Sequence, residues 1–256
     1  LYISGRQHPV KIYNAAEPQT DYLDAALVTV FQIHADCGSG DILVFLAGEA
    51  DEIESLASII NEQAATLPPE ASKILVCPIF AALPTNQQAK VFEPAPPGTR
   101  KVILATNIAE TSITISGVRY VVDTGVSKMR AYNPKLVLAS IRLPRFPIIS
   151  HAACVAWPPG IESLTIQPIS RASARQRAGR AGREMPGFCY RLYTENSFFD
   201  DLPEDTEPEI RRCNLASVIL LLKAAGVDDP VSFDFMDKPS RESRELRFRG
   251  QLRGKR

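Results

Sequence analysis

The sequence predicts an α/β fold, a parallel sheet flanked by helices, and two observations carry that expectation. Apolar bursts of strand length alternate with longer amphipathic stretches, the pattern of buried strands joined by covering helices. With 256 residues, 45% of them hydrophobic and 23% charged, the chain is also long enough for one substantial core and part of a second unit.

Each element has its own signal. Ile42 to Leu46 (ILVFL) is a buried strand, and Ala50 to Gln63 sets Ile53, Leu56, Ile59 and Ile60 at helical spacing. Ile74 to Cys77 (ILVC), Lys101 to Thr106 (KVILAT) and Tyr120 to Asp123 (YVVD) are further strands. Asn86 to Phe92 is a short helix stopped by Pro94, Pro96, Pro97 and Gly98. A helix over Arg171 to Gly182 forms despite Gly179 and Gly182, each of which opposes it by ~1 kcal/mol, so those glycines signal close backbone approach. The acidic stretch from Asp200 to Pro208 reads as a linker, and the amphipathic helix from Leu215 to Ala225 opens a new unit.

Composition excludes several classes. No run of eighteen apolar residues exists, and Leu1 to Arg6 carries no signal-peptide pattern. Cys37, Cys77, Cys154, Cys189 and Cys213 stand far apart, which indicates neither a zinc site nor a disulfide framework and favours a reducing, intracellular compartment. The net charge of zero hides segregation: Arg171, Arg175, Arg177, Arg180 and Arg183 crowd one stretch, and Asp200, Asp201, Glu204, Asp205, Glu207 and Glu209 another. A polyanionic ligand is therefore not excluded.

The chemistry concentrates in Gln176-Arg177-Ala178-Gly179-Arg180-Ala181-Gly182-Arg183. Arginines at i, i+3 and i+6 fall on roughly one helical face, and glycines between them let a partner come near the backbone. Planar guanidinium forks presented that way suit phosphate oxygens. A solvated basic helix is the plainer alternative, but it does not require glycine at both intervening positions. A second cluster, Ala105 to Ile115 (ATNIAETSITI), follows directly on a strand. Polar side chains at a strand's C-terminal end stand where open α/β sheets bind ligands. A capped strand-to-helix turn on Thr106 or Asn107 would account for one of them.

The first cluster resembles motif VI of superfamily 2 helicases, whose DEAH-box members carry Q-R-x-G-R-x-G-R, and the second resembles motif V of the DEAH-box and related RNA helicases. Leu43 to Gly48 (LVFLAG) resembles motif IV, with departures at Ala47, Glu49 and Ala50. Leu83-Pro84 and Val91 to Gly98 (VFEPAPPG) resemble further family segments, and Gly5-Arg6 with Pro9-Val10 resemble the linker into the domain. The likeness covers nearly all of residues 1 to 135 and 161 to 241.

This resemblance implies the second RecA-like motor domain of an ATP-dependent RNA helicase, with ATP between two such domains. It implies catalytic roles for Gln176, which would orient the attacking water, and for Arg180 and Arg183, which would neutralise charge on the transferred phosphoryl group. Phe92 would stack on the base of any NTP, or else be only a core anchor for its helix; Ser112 and Thr114 would face the nucleotide. Thr106 and Asn107 would contact RNA phosphate or sugar, and Ser116 stands where many relatives have Asp. The implied cofactor is ATP or another NTP with Mg, whose ligands the first domain supplies. Implied partners are RNA of many sequences, that first RecA-like domain, and a G-patch-type or other helicase cofactor, with no membrane; the implied location is nuclear or nucleolar.

The expected layout is a linker over 1–20, the helicase C-terminal RecA-like domain over 21–207, the start of a winged-helix-type, helicase-associated unit over 208–242, and a basic tail over 243–256 whose composition favours disorder. Neither a Walker A loop nor a D-E-A-H motif is present, and Asp51-Glu52-Ile53-Glu54 reads as a solvated helix face. The chain is thus expected to be a fragment that hydrolyses no ATP alone. The competing expectation is a non-catalytic RNA-binding or scaffolding remnant of a truncated helicase gene.

The resemblance breaks over Leu136 to Pro159, inside a β-hairpin that in the family helps separate strands. Four prolines (Pro144, Pro147, Pro158, Pro159) and Trp157 stand there, but only Arg142 and Arg145 are charged. So many prolines oppose strand pairing, which favours an insertion at the hairpin tip over an enlarged strand-separating wedge. Lengthening a loop costs only roughly 0.6 kcal/mol per doubling. Deleting Leu136 to Pro159 is therefore expected to preserve the fold and improve solubility, as read by circular dichroism and sedimentation; a chain that no longer folds would assign the segment to the core.

Overall fold

Alternate residues of single strands feed two separate cores. The computed structural model describes residues 8–48, 50–132, 162–212, 215–227, 229–230 and 232–238. Gly5-Arg6, Glu49, the insert over 136–159 and the tail over 243–256 lie outside the described residues. Eight strands are described: β1 (Val10–Asn14), β2 (Asp41–Phe45), β3 (Lys73–Ile79), β4 (Thr99–Ala105), β5 (Val118–Asp123), β6 (Val126–Tyr132), β7 (Glu162–Pro168) and β8 (Gly187–Arg191). The helices are α1 (Tyr22–Asp36), α2 (Ala50–Ala64), α3 (Thr85–Ala89), α4 (Ile108–Thr111), α5 (Arg171–Gly179), α6 (Glu195–Asp200), α7 (Glu209–Arg212) and α8 (Ala216–Ala224).

Six strands form one sheet in the order β1-β8-β5-β2-β4-β3, and every neighbouring pair is parallel. Ile42 and Val44 of β2, with Val102 and Leu104 of β4, join α1 and α2 in one apolar cluster. Leu43, Phe45, Ile103 and Ala105 point the other way and pack with Ala109 of α4 and Ala178 of α5. Each of these strand side chains is at most 1% exposed, so each contributes the ~1.5–3 kcal/mol of full burial for its larger members. The parallel sheet flanked by helices is the architecture the sequence predicts. β6 and β7 pair in a separate two-stranded sheet.

Contacts group the described residues into two compact units, one comprising 8–128 with 166–206 and the other 129–132 with 162–165 and 207–238. In the smaller unit Arg211 pairs with Asp237 at 3.0 Å and Arg212 donates to the Arg130 carbonyl at 2.9 Å. There Leu215, just before α8, and Ile219 within it are buried while Leu220 and Leu221 stay exposed.

In the larger unit, side chains close the ends of α1 and the start of α5. Asp21 accepts from the Leu23 and Asp24 N–H groups at the start of α1, and Arg100 of β4 donates to the carbonyls of Ile33 (2.6 Å), Cys37 (2.9 Å) and Gly38 (2.5 Å) at its end. A cation at a helix C-terminus meets the negative end of the helix dipole and its orphan carbonyls. The Ser170 hydroxyl accepts from the Ser173 N–H to start α5. The carbonyls of Pro203 and Glu204 take the N–H groups of Arg171 and Ala172 (2.8 and 3.0 Å), and the Glu204 carboxylate pairs with Arg171 and Arg175. The first part of the acidic stretch read as a linker is thus bonded onto the basic helix, and the two charge blocks meet.

The helix expected over Arg171 to Gly182 is α only to Gly179; Arg180–Gly182 tighten into a 3-10 turn. The close approach signalled by glycine is found at Gly182, where it is the chain itself that approaches. His8 N–H donates to the Gly182 carbonyl at 2.9 Å, and a Cβ on Gly182 would lie 2.6 Å from the His8 carbonyl oxygen and 2.7 Å from Val10 Cγ2. Gly182→Ala is therefore expected to lower stability by about 1–3 kcal/mol, the usual cost of overpacking, measured by urea denaturation. An unchanged midpoint would mean that β1 moves freely.

Candidate functional site

The C-terminal ends of β2, β4 and β5 open onto α4 and α5, and there the polar clusters picked out in the sequence lie. The strand ends are locked together first: Leu46 N–H donates to the Ala105 carbonyl at 2.9 Å, and the Thr124 hydroxyl to the Phe45 carbonyl at 2.8 Å. Gly48, with φ +117°, turns the chain away from β2 beside Thr106. Ala47 is 2% exposed, so no polar side chain is offered at that departure from the helicase pattern.

Arg177 is fully buried beneath this edge. Its guanidinium donates to Asp123 Oδ1 at 2.8 Å, Glu110 Oε2 at 3.1 Å and the Val126 carbonyl at 3.2 Å, and lies 4.8 Å from the centre of the Phe45 ring. Burial works against its charge, but Asp123 and then Glu110 outweigh that and raise its pKa above the ordinary arginine value. Asp123 is equally committed: Oδ1 also takes the Gly125 N–H at 3.0 Å, and Oδ2 takes the Tyr193 hydroxyl at 2.9 Å. Burial, and then Asp123, push the Tyr193 phenol well above its usual range. Glu110 further accepts from the Ser173 hydroxyl at 2.5 Å, which bolts α4 to α5.

This corrects the expectation of three arginines on one phosphate-facing surface. Arg177 has each of its three guanidinium nitrogens bonded within the protein and points inward, whereas Arg180 is 8% exposed and Arg183 half-buried. Arg180 donates to the Ile113 carbonyl at 2.7 Å, which draws the loop carrying Ser112 and Thr114 to the 3-10 turn. Among the described residues no carboxylate pairs with Arg180 or Arg183. Burial, and next the repulsion of Arg183, lower the Arg180 pKa, against a smaller opposing pull from Glu110. Gln176 stands exposed on α5, as do Ser112 and Thr114 on their loop.

The remaining sequence candidates fall in two places. Thr106 is 8% exposed and its hydroxyl accepts from the Ile108 N–H at 3.4 Å, so it serves the local turn; Asn107 beside it is exposed and makes no capping bond. Phe92 ends the 3-10 turn Lys90–Phe92 at 50% exposure, while its neighbour Val91 is fully buried, so Val91 anchors the turn and the aromatic does not. Among the described residues no group of three or more His, Cys, Asp or Glu could hold a metal, and no helix is long and apolar enough to cross a membrane.

Sequence reasoning passed over Asp123, Glu110 and Tyr193. One signal was present: an aspartate ending the apolar run YVVD in a strand buried on both faces needs a cationic partner. Arg177→Met would leave Asp123 buried without its cation, and loss of about 3–5 kcal/mol of stability is expected, whereas exposed Gln176→Ala should change it by less than about 0.5 kcal/mol. Urea midpoints of the two variants test this; equal midpoints would contradict it.

Comparison with known proteins gives the family and the fold. The family model of the helicase conserved C-terminal domain matches residues 26–185. The pre-mRNA-splicing factor ATP-dependent RNA helicase DEAH10 of Arabidopsis thaliana is 51% identical over 94% of this chain and 30% of its own length. The ATP-dependent RNA helicase DHX33 of Homo sapiens is 49% identical over 94% of the chain and 31% of its own length. The pre-mRNA-splicing factor ATP-dependent RNA helicase prp22 of Schizosaccharomyces pombe is 47% identical over 93% of the chain and 18% of its own. Among solved structures, the Escherichia coli DEAH/RHA helicase HrpB superposes with a TM-score of 0.77 at 31% identity, over 98% of this chain and 28% of that one. The chain thus spans less than a third of the length of these relatives, and its sheet has the RecA-like fold of HrpB.

Proposed function

The chain belongs to the helicase conserved C-terminal domain family, as the C-terminal domain of a DEAH-box RNA helicase, and on that premise we propose that it is the motor half that couples NTP hydrolysis to movement along RNA. The observation that carries the proposal is the unequal treatment of the three arginines of Gln176 to Arg183. Arg177 is neutralised by two carboxylates, while Arg180 and Arg183 are held close enough to repel each other with no carboxylate paired to either among the described residues. Two cations with no paired carboxylate among the described residues, beside a loop of exposed hydroxyls, suit a polyanion.

In this reading the triphosphate lies between this domain and a first RecA-like domain. Arg180 and Arg183 neutralise charge that develops on the γ-phosphoryl group, and Gln176, in α5 just before the 3-10 turn, orients the attacking water. Ser112 and Thr114 hydrogen-bond the nucleotide from the loop that Arg180 fixes through Ile113. The half-exposed Phe92 ring offers the base a face that does not read its hydrogen-bonding edge, which suits any NTP. The ligands of the accompanying magnesium ion come from the first domain.

Asn107, exposed at the start of α4, and to a lesser degree Thr106 contact RNA phosphate or sugar, so binding is independent of sequence and weakens with salt. RNA contact and phosphate contact are joined by one rigid path, because Glu110 of α4 grips Ser173 and Arg177 of α5. A nuclear site of action fits the splicing factors among the relatives, and a G-patch-type partner is proposed on the family resemblance alone.

The deciding experiment joins this chain to a Walker-A-bearing first domain and measures RNA-stimulated NTP turnover. Arg180→Ala and Arg183→Ala are each expected to reduce turnover by ~10^3 or more with the fold intact, Arg183→Ala without shifting the melting temperature and Arg180→Ala with a loss of about 1 kcal/mol of stability for its bond to the Ile113 carbonyl. Near-normal turnover in both variants would remove the arginine-finger assignment. No turnover in the joined parent would favour a non-catalytic RNA-binding role.

A further inference from the structure

A buried ammonium grips the backbone on both sides of Phe92. Lys101 of β4 is only 2% exposed. Its Nζ donates to the Val91 carbonyl at 2.8 Å and to the Glu93 carbonyl at 2.7 Å, the residues immediately before and after the aromatic. Asp41 Oδ2 stands 3.9 Å from the same nitrogen, and Asp41 Oδ1 accepts the Lys101 backbone N–H at 3.0 Å, which ties the counter-charge to the same strand.

Burying a lysine in a sheet is unfavourable unless its charge is paired and its protons are bonded, and an aliphatic side chain would fill the same space without that cost. What the ammonium provides here is a second fixed point for a turn that α3 leads into and that Val91 anchors on one side. Lys90–Phe92 is a single 3-10 turn, closed by a Glu93 N–H bond of 3.3 Å to the Lys90 carbonyl and followed by the chain-breaking Pro94, Pro96 and Pro97. Val91 points into the core and is fully buried, so rotation of the turn about its axis would carry Phe92 out of register with whatever it faces. Two carbonyls fixed by one nitrogen remove that rotation.

We propose that Lys101 is a positioning residue for base recognition: by clamping the carbonyls of Val91 and Glu93 it holds the Phe92 ring ready to receive the nucleobase, and so sets affinity for base-bearing ligands without touching them. The proposal rests on the reading of Phe92 as the base-stacking aromatic. A purely structural lysine would affect every ligand of the site alike. A clamp on the ring affects only ligands that have a base.

Equilibrium binding of ADP and of inorganic pyrophosphate, in the protein joined to its first domain, separates these cases. Lys101→Met is expected to weaken ADP roughly 5- to 100-fold, the range for loss of one base–aromatic stack, and to leave pyrophosphate affinity unchanged. Phe92→Ala should do the same, and the double variant should bind ADP no more weakly than Phe92→Ala alone, since both act through one ring. Should Lys101→Met fail to fold, Lys101→Arg keeps the cation but displaces its donors, and should show the same base-only loss in smaller measure. Equal loss for ADP and pyrophosphate, or no loss for ADP in a Lys101 variant while Phe92→Ala weakens it, overturns the proposal. If Phe92→Ala itself leaves ADP binding intact, the stacking role of Phe92 falls, and the clamp falls with it.

Discussion

Arg177 and the two carboxylates around it constrain the C-terminal edge of the sheet in the larger unit. A charge without solvent must be matched in place as well as in sign, so Asp123 at the end of β5, Glu110 on α4 and Arg177 on α5 admit one mutual arrangement. Through Asp123 the same node takes in Gly125 and Tyr193, and through Glu110 it takes in Ser173. Every exposed candidate residue on α4 and α5 is one turn or less from this node. The geometry of the surface is thus set by an interaction buried beneath it.

The same segment therefore divides its arginines by depth. A helical repeat specifies direction around an axis and says nothing about what lies across from each side chain, which is why Arg177, Arg180 and Arg183 read as equivalent in sequence. The tightening of the chain into a 3-10 turn after Gly179, and the two carboxylates waiting opposite Arg177, are tertiary facts. The glycines were legible as points of close approach, but the sequence could not say that at Gly182 the approaching backbone is that of His8.

Strands β2, β4 and β5 were plain in the sequence because burial on both faces leaves an uninterrupted apolar run, and β3, although an edge strand with Leu75 exposed, carries the apolar run ILVC. β1 and β8 were not. β1 lies at the sheet's edge with Lys11, Ile12 and Tyr13 exposed, and β8 is five residues of mixed character between a glycine and an arginine, so neither carries a period that stands out. Lys101 and Arg100 sat in view inside the predicted strand KVILAT and just before it, yet their partners are backbone carbonyls up to 67 residues away, which no residue pattern encodes. Phe92 was legible as an aromatic in a proline-rich segment; that its neighbour Val91 takes the core position, leaving the ring outside, needed coordinates.

The strand order has a consequence for the making of the domain. β1, the first strand of the sheet, has a single strand neighbour, β8, and β8 is the last of the six to leave the ribosome. At translation rates of about 5–20 residues per second, Val10 waits roughly 10–35 seconds for its register partner Gly187. The core strands β2 to β5 can assemble in that interval, since all four emerge before β6. The sheet is then sealed in one late step, when the basic helix, its buried arginine and β8 arrive together, so a nascent chain stalled before Arg177 would carry an unneutralised Asp123 and an unattached leading strand for quality-control factors to engage.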